Sequence, residues 1–291
     1  MSDRAPIPAL FFLTGELPIE ARIHRDIFSI LYNIWINPQT KINSMVSYLM
    51  ENSPQNSRTW SRHIRNLAEK YEIEDLQTNL ETDPPPKAAV YKENILTKIV
   101  KYHEQQMRDD ASRNSKMQYF NVNLIGLRGR NHPSMSKINT THEVARMRPH
   151  MKMLCGDYYT YKMEANYQGG SPNCRLCSQA EPRPGKSDIS ESKIENIEHI
   201  LTVCSIYSDV RDRVLIQMKN ILEDMEFMDS IQQIFSNNHH LTQFILDCTS
   251  FNLPVRIKYD DENASTIFAL SRDLCFSINK RRLQMLKNLA V

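Results

Sequence analysis

Apolar residues return along this chain every three or four positions, the period of a helix that buries one face. Ile23, Ile27, Ile30, Leu31, Ile34 and Trp35 keep that spacing and predict a helix over 21–36. Asn37-Pro38 stops it and supplies a cap and a first-turn proline for the next. Met45, Val46, Leu49 and Met50 mark the inner face of that second helix. A third is expected over Ser57 to Tyr71, with Trp60, Ile64, Leu67 and Ala68 inward.

Asp83-Pro84-Pro85-Pro86 is the clearest break, because three prolines forbid helix and stiffen the chain. A long helix follows over 88–113, with Val90, Ile95, Ile99 and Tyr102 on one side. Residues 121–137 read as irregular. Thr140 and Glu143 form a capping box, and the helix it opens should end near Gly156. Further helices are expected over 206–225, 241–251 and 265–289, and 181–192 reads as a loop. No alternating run predicts a strand. The fold class is therefore mainly α. The breaks divide it into an N-terminal helical bundle (1–83), a long helix with a basic segment (84–168), a cysteine-bearing knuckle with an inserted loop (169–206) and C-terminal helices (207–291).

Composition supports helices: only 7 glycines occur in 291 residues, and 41% of residues are hydrophobic. The net charge of +2 hides an uneven distribution. From Ser112 to Met153 there are eight Lys or Arg against one acid, whereas 178–230 carries six basic and eleven acidic residues. A polyanion would meet the first segment and avoid the second. The chain shows no secretory signal, no stretch able to span a bilayer and no disulfide framework. The expected location is intracellular, nuclear or cytoplasmic, with no membrane partner.

Chemistry concentrates at Cys174, Cys177, His199 and Cys204, spaced Cys-x2-Cys, 21 residues, His-x4-Cys. A Cys-x2-Cys pair alone also suits redox chemistry. With His-x4-Cys downstream it points to a structural Zn2+ held by three thiolates and one imidazole. A spacing of five does not place His199 and Cys204 on one face of an α-helix. The helix should therefore stop or loosen before Cys204. Cys155, Cys248 and Cys275 fall in apolar settings and read as core residues.

These residues carry a resemblance. Cys174-Arg-Leu-Cys177 and Glu195-Asn-Ile-Glu-His199-Ile-Leu-Thr-Val-Cys204 are similar to the cysteine–histidine motif near the end of non-LTR retrotransposon reverse transcriptases. The family's gap between the two halves is shorter, so 178–193 is an insertion, expected to bulge out without moving the ligands. Gly15-Glu-Leu-Pro-Ile-Glu-Ala21 and the stretch from Thr249 through Asp273 resemble the flanking helical parts of such polyproteins. The polymerase palm has no counterpart. Tyr259-Asp260-Asp261 lacks the palm's spacing and follows the zinc motif instead of preceding it.

The resemblance implies the post-polymerase part of such a protein: a nucleic-acid-binding accessory module, without enzymatic activity of its own, serving a polymerase encoded elsewhere. The partner would be RNA or DNA, contacted by Arg113, Lys116, Arg128, Arg130, Arg146, Arg148 and Lys152, with nearby tyrosines able to stack on bases. The alternative is a zinc-stabilised protein-interaction module, a co-opted or decaying remnant with no nucleic-acid role. Ala180 to Ser187 only echoes a phosphate-binding loop, since Pro182 and Pro184 remove the N–H groups such a loop needs. His239-His240 reads as a solvated turn.

Overall fold

The structure is a computed structural model that describes residues 7–52, 54, 59–73, 87–123, 131–135, 138–177, 193–251 and 262–289. Among these residues the regular structure is helical, without strands. In chain order the α-helices are α1 (Ile7–Thr14), α2 (Ile19–Trp35), α3 (Lys41–Asn52), α4 (Trp60–Lys70), α5 (Ala88–Arg113), α6 (Thr141–Leu154), α7 (Tyr161–Gln168), α8 (Ser208–Asp224), α9 (Met228–Ile234), α10 (Asn238–Leu246) and α11 (Glu262–Leu289). No helix is long and apolar enough to cross a membrane among the described residues.

Two compact units emerge. The N-terminal unit lies within Gly15–Asp109. Its core joins Ala21, Phe28 and Leu31 of α2, Val46 and Met50 of α3, Ile64 and Leu67 of α4, Tyr71, and Ile95 and Ile99 of α5. Full burial of each large side chain contributes roughly 1.5–3 kcal/mol. The inner face of α2 agrees with the expected one at Leu31 and Trp35, with Ile27 and Ile34 partly buried against the core, and differs at two positions. Ala21, His24, Phe28, Leu31, Tyr32 and Trp35 are buried, while Ile23 and Ile30 are exposed. Ring side chains fill the interior: Tyr32 stacks on Tyr91 of α5 at 4.6 Å, and Trp35 meets the same ring edge-on. Met45, Leu49, Trp60 and Val90 are likewise exposed, leaving Val46, Met50 and Ile64 to face the core.

Local rules set the helix ends. α3 starts at Lys41, not at Pro38, because the Thr40 hydroxyl accepts from the N–H of Asn43 and caps it. α4 ends in a Schellman turn: Ile73 donates its N–H to the Ala68 carbonyl and Glu72 donates to Glu69. Glu72 takes the left-handed position (φ 51°) that usually falls to glycine. The Lys98 ammonium donates to the Glu72 carbonyl exposed by that turn.

The other unit takes its residues from Met1–Thr14, Asp110–Ile125 and Asn131–Val291. α11 is its spine and packs chiefly on α6 and α8. Ile267, Ser271, Leu274, Ile278 and Arg282 form its inward stripe. Cys155, Cys248 and Cys275 are buried among apolar neighbours, and burial pushes each thiol upward. The capping box forms: the Glu143 N–H donates to the Thr140 hydroxyl, and the Glu143 carboxylate accepts from the Thr140 N–H. At the other end of α6, Gly156 (φ 62°) closes a second Schellman turn, and a Cβ there would lie 2.7 Å from the Lys116 backbone. α8 ends in a third, with Glu226 at φ 61°.

Candidate metal centre

The Asn173–Ile194 backbone bridge frames the knuckle. The N–H of Cys174 donates to the Lys193 carbonyl at 2.7 Å, and that of Glu195 to Pro172 at 2.8 Å. Cys174 and Cys177 lie in the turn after this neck. The insertion 178–193 falls outside the described residues except for Lys193.

On the opposite side, Asn196 caps the backbone by accepting from the N–H of His199 at 2.7 Å. Residues His199–Val203 then form a π-helical turn, with Cys204 donating its N–H to the His199 carbonyl at 2.7 Å. That i→i+5 bond widens the helix by one residue per turn. It brings residues five apart onto one face, which an α-helix would not do. The loosening expected before Cys204 is this wide turn. The Arg211 guanidinium donates to the Cys204 carbonyl at 3.0 Å and holds the chain where it leaves the turn.

Cys174, Cys177, His199 and Cys204 converge, with one donor atom from each lying within 4.8 Å of the others. Cys177 Sγ stands 3.3 Å from His199 Nε2 and 3.2 Å from Cys204 Sγ. Cys174, His199 and Cys204 are buried and Cys177 is half-buried. The contacts split the sulfurs electrostatically. Neighbouring Cys174 and Cys204 push the Cys177 thiol down to about 3, while Cys174 and Cys177, with burial, push Cys204 upward. Cys174 is lowered as well, so two protons leave readily, while hydrogen bonds from the other two sulfurs and burial hold the last against a third buried negative charge. A cation resolves that conflict, so the donor set can hold a metal ion.

Two buried residues brace the knuckle, and neither is conspicuous in the sequence. The Glu195 carboxylate meets the Arg282 guanidinium of α11 at 2.5 Å and accepts from the N–H of Tyr161, the first residue of α7, at 3.1 Å. The Arg282 guanidinium also lies over the rings of Tyr158 and Tyr161. Burial pushes the Glu195 carboxyl up, against the pull of Arg282. A signal for Arg282 exists: it is a charge on the apolar stripe of α11.

A second polar cluster lies inside the same unit. Asp247 accepts from the N–H groups of Thr249 and Asn121 at 3.1 and 2.8 Å and stands 3.5 Å from His132 Nε2. Burial opposes its charge, but His132, Thr249 and Asn121 outweigh that and hold the carboxyl below its ordinary range. The Ser134 hydroxyl is 2.7 Å from His132 Nδ1. Serine, histidine and aspartate therefore touch in series, and all three are buried. The cluster ties 121, 132, 134, 247 and 249 together.

The basic residues fare unequally. Arg113, Arg148 and Lys152 are exposed, and the last two share a face of α6 four residues apart. Lys116 is half-buried, with its backbone against Gly156. Arg146 pairs with Asp273 at 2.8 Å. Arg128 and Arg130 lie outside the described residues, as do Lys137, Ala180 to Ser187 and Tyr259-Asp260-Asp261. His239 and His240 sit in the first turn of α10, where the His240 N–H donates to the Asn237 side chain. Compared with models of protein families, with curated proteins and with solved structures, the chain matches none.

Proposed function

We propose that this chain is a zinc-stabilised helical module that holds nucleic acid for a polymerase encoded elsewhere, as the post-polymerase part of a non-LTR retrotransposon protein would. The observation that carries the reading is the buried convergence of Cys174, Cys177, His199 and Cys204. Three thiolates and an imidazole are a donor set zinc takes in structural sites, at roughly 2.3 Å from sulfur and 2.1 Å from nitrogen. With four protein ligands there is no open position for a substrate or an activated water, so the metal's role is to fold the knuckle.

Nucleic-acid contact is supported by the charge of the 112–153 segment and by the exposure of Arg113, Arg148 and Lys152. The knuckle adds exposed Lys162, Arg175 and Lys193, with exposed Tyr159 and Tyr167 able to stack on unpaired bases. Each neutralised phosphate contributes roughly 0.7–0.9 to the slope of log affinity against log salt. Single-stranded RNA and duplex DNA titrated against the full chain should give a slope of about −3 to −4. The R148A/K152A variant should flatten it by about 1.4–1.8 without lowering the melting temperature. Binding that is absent at low salt overturns the nucleic-acid reading and leaves the zinc module intact.

One observation favours a protein-interaction module instead. Ile19, Ile23 and Ile30 of α2 and Ile42, Met45, Tyr48 and Leu49 of α3 are exposed apolar residues. Single exposed apolar residues are ordinary, but a run along two consecutive helices suits contact with another protein.

A further inference from the structure

The core of the N-terminal unit contains a line of three polar rings. His24 Nδ1 lies 2.5 Å from the Tyr71 hydroxyl, and the same hydroxyl lies 3.0 Å from His103 Nε2. All three residues are buried. They come from α2, from the end of α4 and from α5, so the chain joins three helices of one bundle.

A phenol has one proton to give. The short contact fits the Tyr71 hydroxyl donating to His24 Nδ1, and the longer one fits His103 Nε2–H donating to the hydroxyl oxygen. Every polar atom along the line is then satisfied with both imidazoles neutral. A proton added to His24 Nδ1 turns an acceptor into a donor. The Tyr71 oxygen would face N–H groups on both sides, and its own proton would lose its acceptor. A buried polar group left unpaired in this way costs about 1–3 kcal/mol, before the burial of charge is counted.

The groups that act on the two rings are Glu20 of α2, 3.9 Å from His24; Lys70 of α4, which pairs with Glu20 at 2.6 Å; exposed His63 of α4; and Tyr102 of α5, edge-on to both Tyr71 and His103. Glu20 favours protonation of the rings, but its charge is largely committed to Lys70, which sits over the Tyr71 and Tyr102 rings. Burial dominates and lowers both histidines.

We propose that His24, Tyr71 and His103 form a two-proton latch that holds the N-terminal unit closed at neutral pH and releases it in mild acid. The sign follows from the buried rings. A histidine held below its ordinary range contributes stability that is complete above about pH 6.5 and is lost as the pH falls. Two such rings take up as many as two protons on opening, so the closed-to-open ratio drops by at most about a hundredfold per pH unit.

The chain supplies its own reporter. Both of its tryptophans, Trp35 and Trp60, lie in this unit, and Trp35 is buried against Tyr32 and Tyr91. Tryptophan emission of the full chain should shift reversibly to the red between pH 7.5 and 4.5, with a steepness of at most about two protons. H24Q/H103Q should keep its neutral emission across that range. Y71F, which lacks the central hydroxyl, should open at higher pH than the wild type. A wild type that shows no shift, a double variant that opens with the wild type, or an unmoved Y71F midpoint overturns the latch. Should the double variant fail to fold at pH 7.5, imidazole proton resonances of the wild type decide. Both rings gaining protons as the emission shifts supports the latch; rings that titrate while the emission stays closed refute it.

Discussion

The two units solve the same problem with different chemistry. The N-terminal unit relies on apolar packing: Ala21, Phe28, Ile64 and Ile99 are wholly buried, and among the described residues its buried polar side chains are Ser61 and one chain of rings. The C-terminal unit buries charge and metal-ligating groups. Glu195 and Arg282, Asp247, three convergent sulfurs and His199 all lie inside it. Apolar burial is non-directional and tolerates a shifted helix face, as α2 shows with Ile23 and Ile30 outward and Ile27 and Ile34 against the core. Buried charges and metal ligands demand fixed geometry, and the unit that contains them carries the wide turn, the neck and the caps that enforce it. One unit should therefore degrade gradually under substitution, the other abruptly.

Metal removal should separate them most sharply. Structural zinc contributes on the order of 10 kcal/mol to a small site at neutral pH. Chelation, or Cys177→Ser, should loosen residues 170–206 and lower the melting temperature of the C-terminal unit. Hydrogen exchange should localise the change there, while tryptophan emission, which reports the N-terminal unit, stays as it was. A melting curve unmoved after stoichiometric metal loss would remove the structural role.

The buried ion pair comes next. Removing one partner of such a pair leaves a charge without compensation and costs about 3–5 kcal/mol. Arg282→Met should destabilise the C-terminal unit by that amount in urea titrations followed by far-ultraviolet circular dichroism. Combining it with Glu195→Gln should recover part of the loss. Purely additive effects would show that the two side chains act independently.

The smallest effect should appear at a helix end and carry the opposite sign. Glu226 occupies a left-handed position that glycine adopts without strain. Glu226→Gly should stabilise the C-terminal unit by about 1 kcal/mol, read as a raised denaturation midpoint. Gly156→Ala should do the reverse, since its Cβ would collide with the Lys116 backbone.

What could be read from the sequence was whatever short-range spacing encodes. The ligands stood out because Cys-x2-Cys and His-x4-Cys are local patterns. The capping box, the C-terminal Gly156 and the bounds of α5 are equally local. On α2 the expected face holds at Leu31 and Trp35, with Ile27 and Ile34 against the core, but fails at Ile23 and Ile30; Phe28 and Tyr32 fill that volume, and His24 is buried with Tyr71 answering it 47 residues away. The turns at Glu72 and Glu226 lack the glycine that marks such sites. Glu195 sits in the cysteine–histidine motif, but its partner Arg282 is 87 residues distant, and no local pattern joins them.

The neck at Asn173 and Ile194 has a consequence for how the chain tolerates change. Its backbone hydrogen bonds hold Asn173 beside Ile194, so the loop that starts with Cys174 and Cys177 leaves and returns at one fixed place. For a flexible loop whose ends are held, doubling the length costs only about 0.6 kcal/mol in closure entropy. That is small beside the roughly 10 kcal/mol that a bound structural metal would add, so a change in the number of residues between Cys177 and Lys193 should leave the neck in register.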